Sequence, residues 1–209
     1  MKITRKTHKE LFNAVEFCHK ASFTDKSKSD RPYYYNTLEV KNGRLCATDG
    51  ARLHYQPITD LPNGVYDYSK KGSTITLTKH DNNNYPDIDK VIPRQYAHTV
   101  EVNRDELLRI CRQALIMVNN HWSCLYLTFN GHLEVKVSNP DLGEYASETE
   151  TSKVVDPEST VAINPKFIRD VLTSFKSKNV TIKLQPEAYK MPLVLQSGDK
   201  TALVMPMRI

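Results

Sequence analysis

Apolar residues recur at helical spacing three times along the chain, each time followed by alternating stretches. In THKELFNAVEFCHK (7–20), Leu11, Val15 and Cys18 share one side of a helix, widened by Phe12 and Ala14. Lys9, Asn13, Glu16 and Lys20 take the other side. TLEVKNGRLCAT (37–48) then alternates on both sides of Asn42-Gly43, a pair that tolerates positive φ and suits a tight hairpin. The same order returns in NRDELLRICRQALIMV (103–118), with Leu107, Leu108, Cys111, Leu115 and Val118 inward, and LYLTFNGHLEVKV (125–137) around Asn130-Gly131. A third copy runs through NPKFIRDVLTSFKSK (164–178), where Asn164 is placed to cap and Pro165 to occupy the first helical position. VTIKLQ and LVLQSGDKTALVM supply its strands. GVYDYSKKGSTITLTK (64–79) reads as strands with no helix before it. The pattern predicts an α+β fold of repeated helix-plus-hairpin units, three complete and one lacking its helix.

At 209 residues and 39% hydrophobic, the chain has material for two modest domains. No apolar run approaches a membrane span, and MKITRKTHKE lacks the apolar core of a signal peptide, so a cytoplasmic location is expected. Cys18, Cys46, Cys111 and Cys124 show no C-x-x-C spacing and sit in apolar stretches, which predicts free thiols.

The net charge of +5 is modest, so its distribution carries more. Residues 1–31 hold eight lysines and arginines against four carboxylates, whereas 141–158 hold six carboxylates against Lys153. The exposed sides of the helices are basic or hydrogen-bonding: Lys9 and Lys20; Arg109, Arg112 and Gln113; Lys166, Arg169, Thr173 and Lys176. If they share a surface, it suits a phosphate backbone without reading bases. Tyr33 and Tyr34, beside Arg31, allow two readings: rings that stack on unpaired bases, or a strand start with one ring buried. The ending is unusual, since Leu203, Val204, Met205, Pro206, Met207 and Ile209 crowd the last seven residues with Arg208 as their one charge.

Three short motifs stand in order: ATDGARL (47–53), YPDIDKVIP (85–93) and MPMRI (205–209). They resemble the ATDGHRL strand, the FPDYRRVLP linker and the MPMRL ending of the bacterial β sliding clamp, the processivity subunit of DNA polymerase III. RPYYYN (31–36) and RQALIMVNN (112–120) are similar to that family's paired-tyrosine loop and to its helix end before a subunit contact. The likeness covers most of the chain and is strongest from about residue 85 onward.

The resemblance implies a DNA-clamp fold with two domains here. Residues 1–93 would form an abridged counterpart of the family's middle domain, its second helix, expected between Ile58 and Gly64, replaced by TDLPN. Residues 94–209 would form a complete carboxy-terminal domain. It also implies an apolar pocket for short linear peptides of partner proteins, built from Thr48, Gly50, Arg52, Leu53, Pro86, Val91, Pro192, Val204, Met205, Pro206, Met207 and Arg208. Ala51 stands where the family has histidine, which makes one wall smaller. Methionines suit a surface that repacks around several ligands. Ile116 and Met117 match the family's subunit-contact pair. Family chains have three domains and two of them close a ring of six; two domains per chain imply a homotrimer.

Enzyme readings have little to stand on. His80 with Asp81, or Asp87 with Asp89, lack a third metal ligand at a recognisable spacing, and there is no Gly-rich phosphate loop, nucleophile elbow or H-E-x-x-H. The expected function is therefore that of a DNA sliding clamp without catalysis or cofactor. It would tether a DNA polymerase and other clamp-motif proteins to double-stranded DNA without regard to sequence, loaded by an ATP-driven clamp loader. The alternative is a non-encircling module that keeps the peptide pocket and recruits or competes for clamp-binding proteins.

Overall fold

The first amphipathic stretch folds as α1 (Lys9–His19), which buries Leu11, Phe12, Ala14, Val15, Phe17 and Cys18. The computed structural model describes residues 1–22, 32–81, 84–119 and 124–208. They divide between two units, Met1–Val91 with Asp199–Ala202, and Ile92–Gly198 with Leu203–Ile209.

In the first unit β1 (Lys2–Thr4) precedes α1, and β2 (Thr37–Lys41), β3 (Arg44–Thr48), β4 (Arg52–Pro57), β5 (Gly64–Lys71) and β6 (Thr74–Lys79) follow. They pair antiparallel in the order β1-β6-β5-β2-β3-β4. The β2–β3 turn is Asn42-Gly43, both at positive φ, as the dipeptide predicts. α1 lies on β3 and β4. Phe17 is fully enclosed, a burial that stabilises by about 1.5–3 kcal/mol. Its ring stacks on buried His54 at 4.7 Å, whose Nδ1 donates to the Phe17 carbonyl at 2.8 Å.

At the end of α1, His19 stacks on Tyr68 at 3.6 Å and burial lowers its pKa to about 4. Burial raises the neighbouring Glu16 carboxyl, but hydrogen bonds from Lys70 and Tyr68 outweigh it and leave the group below its ordinary value. Because the folded state holds His19 neutral, the unfolded chain binds the extra proton between the two pKa values. The stability of this arrangement is complete above about pH 6.5 and declines as pH falls toward 4. Between pH 7.5 and 5 the decline is about 2 kcal/mol. Denaturant titration at the two pH values should show it, and His19→Phe, which keeps the stack without the titrating ring, should remove most of the difference. An unaltered pH dependence in that variant would refute the assignment.

The second unit contains β7 (His98–Asn103), α2 (Arg104–Ala114), β8 (Leu125–Phe129), β9 (His132–Asn139), β10 (Gly143–Glu150), β11 (Ser159–Ile163), α3 (Pro165–Leu172), β12 (Asn179–Leu184), β13 (Leu193–Ser197) and the last two residues of β14 (Lys200–Val204), whose first three count with the first unit. Asn103 and Asn164 cap α2 and α3, their side chains accepting the N–H of Glu106 and of Lys166 at 3.0 Å each. Pro165 takes the first turn of α3. The inward stripe of α2 is Leu107, Leu108, Ile110, Cys111 and Ala114. The helix ends at Ala114 rather than running to Val118, so Leu115 and Val118 leave the stripe and are only half-buried. Strands β8 and β9 alternate as predicted, with Leu125, Leu127, Phe129, Leu133, Val135 and Val137 inward.

Comparing the two units locates what the first one lacks. In the second, β7 pairs with β12 and β8 with β11, and α3 connects β11 to β12. In the first, β1 pairs with β6 and β2 with β5 in the same antiparallel sense. β5 and β6 therefore stand where β11 and β12 stand, and the missing helix belongs between them. A hairpin through Gly72, at φ +59°, joins them instead. The expected position between Ile58 and Gly64 is corrected: that segment corresponds to residues 151–158 of the second unit, where there is no helix either. Counterparts of β13 and β14 are missing as well.

Candidate nucleic-acid and peptide interface

The turn between β3 and β4 is organised by Asp49, which sequence reasoning passed over. Its Oδ1 accepts the N–H groups of Ala51 and Arg52 at 3.0 Å each, and its Oδ2 takes the Arg52 Nε at 3.0 Å. Thr48 Oγ1 donates to the Arg52 carbonyl at 2.7 Å and accepts the Gly50 N–H at 3.1 Å. Gly50 sits at φ +86°, and a Cβ there would lie 2.5 Å from the Tyr35 hydroxyl. Both constraints select glycine. Of the predicted pocket residues in this unit, Gly50, Pro86 and Val91 are exposed, Thr48 is half-buried and Leu53 is buried. Arg52 is held inside the turn, its side chain 11% exposed against Asp49. The signal available was the T-D-G string itself, a side-chain-bonded turn pattern.

In the second unit Val204 and Pro192 are buried and belong to the core. The Pro192 carbonyl accepts from Gln185 Nε2 at 3.2 Å. The chain emerges at Met205, which is 41% exposed, followed by half-buried Pro206 and Met207 and exposed Arg208. Met207 N–H donates to the Ala162 carbonyl on β11 at 2.7 Å. Beside this bond is a cavity of about 530 Å³ lined by Thr160, Ala162, Tyr189, Lys190, Met207 and Arg208. Tyr189 and Met191 add exposed apolar surface on the β12–β13 connection.

The helix cations differ in freedom. Lys9, Arg112, Lys166 and Lys176 are exposed and make no ion pair among the described residues. Arg109 donates to Gln113 Oε1 at 2.9 Å, Arg169 is paired with Asp170 at 2.7 Å, and Lys20 is half-buried. α2 and α3 pack against each other, and each carries exposed or half-buried cations, alongside exposed Asp105 on α2. Tyr34 is half-buried in a 3-10 turn (Tyr33–Asn36) and makes edge contacts with Tyr35 at 4.8 Å and with buried Tyr85 at 6.0 Å. Arg31 and the Tyr33 side chain lie outside the described residues. Among the described residues no cluster of metal-ligating side chains occurs, and Asp89 is engaged by Arg44 at 2.6 Å.

Residues 89–208 match the family model of the DNA polymerase III beta subunit, C-terminal domain. The chain belongs to this family. The beta sliding clamp of Streptococcus pneumoniae is 26% identical over 129 residues, which is 60% of this chain and 34% of that protein. The beta sliding clamp of Proteus mirabilis is 26% identical over 140 residues, covering 66% and 38%. Among solved structures, the DNA polymerase sliding clamp of Pseudomonas aeruginosa superposes with a TM-score of 0.78 at 20% identity, and the DNA polymerase III subunit beta of Bartonella birtlesii with 0.78 at 18%. Each covers all of this chain and 66% of its own. The α+β clamp fold follows from these superpositions. The matches span about a third of the length of the relatives found by sequence.

Within this beta-subunit chain the suggested contact pair is split. Ile116 is 76% exposed, while Met117 is half-buried and its carbonyl accepts from Asn139 Nδ2 at 2.6 Å. The Asn139 carbonyl accepts the N–H of Leu142 at 3.1 Å, and Leu142 is a second exposed apolar residue of this unit. Strand β10, adjacent to Leu142, carries Glu144, Glu148 and Glu150 and pairs on one side only, with β9. No described helix is long and apolar enough to cross a membrane. Cys18, Cys46 and Cys111 are buried free thiols and Cys124 is a half-buried one.

Proposed function

We propose that this chain is a cytoplasmic, non-enzymatic sliding clamp. It encircles double-stranded DNA, binds it without regard to sequence, and tethers a DNA polymerase and other clamp-motif proteins through its Met-Pro-Met tail. The observation that carries this reading is the family match over residues 89–208, joined by the exposed cations Arg112 on α2 and Lys166 on α3. The abridged first unit would be the counterpart of the family's middle domain and the second unit the counterpart of its last. Loading by an ATP-driven clamp loader follows from the resemblance.

Lysines and arginines on helices that face a wide channel meet phosphates and not groove edges. Reversing Lys166, Arg169 and Lys176 together to glutamate should therefore weaken association with circular duplex at every sequence tested. It should also flatten the salt dependence, by about one unit of log–log slope for each phosphate that is no longer neutralised. Equal retention on circular DNA by variant and parent would count against the reading. The missing α3 counterpart in the first unit favours a second reading, a non-encircling module that keeps the peptide surface. It predicts identical retention on circular and linearised plasmid.

A further inference from the structure

Glu39 places a carboxylate in the interior of the first unit's sheet. Strand β2 pairs with β3 on one side and β5 on the other, and the register sets Glu39 opposite Cys46 and Val65, so the three side chains share one face. Glu39 is buried, 9% exposed, and among the described residues it makes no ion pair. Its Oε2 accepts from the Cys46 thiol at 3.8 Å, and a thiol is a weak donor. Burial lifts the Glu39 carboxyl above its ordinary pKa, by more than nearby Lys41 lowers it. A charge taken out of water without a strong partner is costly. Glu39 therefore calls for a group that the chain itself does not supply.

A cavity of about 260 Å³ opens beside it, lined by Glu39, Lys41, Asn63, Gly64, Val65 and Lys79. Lys41, two residues along β2, leaves the strand on the same face about 6.6 Å from Glu39. Lys79 lies over Gly64: a Cβ at that position, where φ is +152°, would be 3.1 Å from Lys79 Cε and 3.8 Å from its Nζ. Both lysines are exposed and make no ion pair among the described residues, whereas nearby Arg44 is engaged by Asp89. Asp87, the other carboxylate that acts on Glu39, is exposed. The inner end of the cavity is thus acidic, its rim is basic, and Val65 gives an apolar wall. We infer that it binds a small zwitterion, an aliphatic amino acid whose ammonium meets the Glu39 carboxylate and whose own carboxylate meets Lys41 and Lys79. A cation alone would face two lysines and an anion alone would face Glu39; a molecule with both charges satisfies the whole lining. The site uses none of the residues assigned to peptide or DNA, so it stands or falls apart from the clamp reading.

The probe is 4-aminobutyrate, compared with butyrate and with butylamine, which carry one charge each on a similar alkyl chain. In an NMR titration of the full chain, 4-aminobutyrate should shift the amides of β2 and of residues 63–65 and bind about tenfold more tightly than either analogue. Glu39→Gln should bring its affinity down to that of butyrate, and Lys41→Met with Lys79→Met down to that of butylamine. An adjacent ammonium favours the ionised carboxyl, so the titration of the Glu39 side-chain carboxyl, followed by its carbon resonance, should move to lower pH when the probe is bound. A carboxyl with a merely structural role would not respond. Equal affinity for the three probes, unshifted amides, full affinity in Glu39→Gln, or a Glu39 titration that saturating 4-aminobutyrate leaves in place would overturn the site. The probe comparison and the carboxyl titration use the parent protein, so they decide the matter even where a variant fails to fold.

Discussion

A chain carrying Met205→Ala and Met207→Ala should bind a clamp-motif peptide about a hundredfold more weakly and unfold at the same temperature as the parent. Met205 keeps 41% of its surface exposed and Met207 is half-buried; the area they leave exposed opens to solvent, so truncation leaves no enclosed cavity. On peptide binding the same area would be covered. Burying a methionine side chain fully is worth about 1.5–3 kcal/mol, so removing two partly covered ones costs about 2.7 kcal/mol, or about a hundredfold. Val204, which is fully buried, is the contrasting case. Val204→Ala should lower stability with little direct effect on the peptide, because it leaves a core cavity. Titration calorimetry with the peptide and thermal melts separate the two effects. Unchanged affinity in the double variant would end the assignment of the tail as a binding surface.

The helices and two of the hairpins were legible because each is decided within a few residues. Leu11, Val15 and Cys18 are spaced for one face of α1, Asn103 and Asn164 cap by short-range bonds, and Asn42-Gly43 sets its own turn. Strand β10 was not legible, since GEYASETE faces solvent along most of its length and carries almost no apolar alternation. Nor was the place of the missing helix. The pairing of β1 with β6 joins residues such as Lys2 and Thr76, far apart in the chain, and only that long-range register shows that Gly72 stands where a helix would. At the candidate sites, residue types were readable but their orientation was not. Arg52 reads as part of the peptide pocket, and only the structure shows that Asp49, three residues away, holds it. Pro192 and Val204 read as pocket wall until the strands beside them enclose them.

The largest assembly effect should be that the 209-residue chain is a homotrimer and that Ile116→Asp breaks it into monomers. Six clamp domains close a ring of the resembled kind; if both units of this chain act as clamp domains, three copies joined by a head-to-tail contact that closes would give that ring. On the second unit the contact would use Ile116, 76% exposed, with Leu142, 59% exposed, and the one-sided edge of β10, whose Glu144, Glu148 and Glu150 give it a negative face. On the first unit the sheet ends at β1, and the stretch that includes it, residues 2–9, holds Lys2, Arg5, Lys6 and Lys9. Opposite charge across the joint speeds and orients docking more than it adds affinity, while the apolar pair supplies the burial. Raised salt should therefore loosen the ring without abolishing it. A carboxylate at Ile116 would have to be desolvated inside the joint, a cost of several kcal/mol repeated at all three contacts, whereas in the free chain position 116 is already in water and the fold should be unaffected. Sedimentation at low salt that finds only monomer at high concentration would refute the trimer and bring the non-encircling module forward. A trimer that persists in Ile116→Asp would instead place the contact elsewhere on the chain.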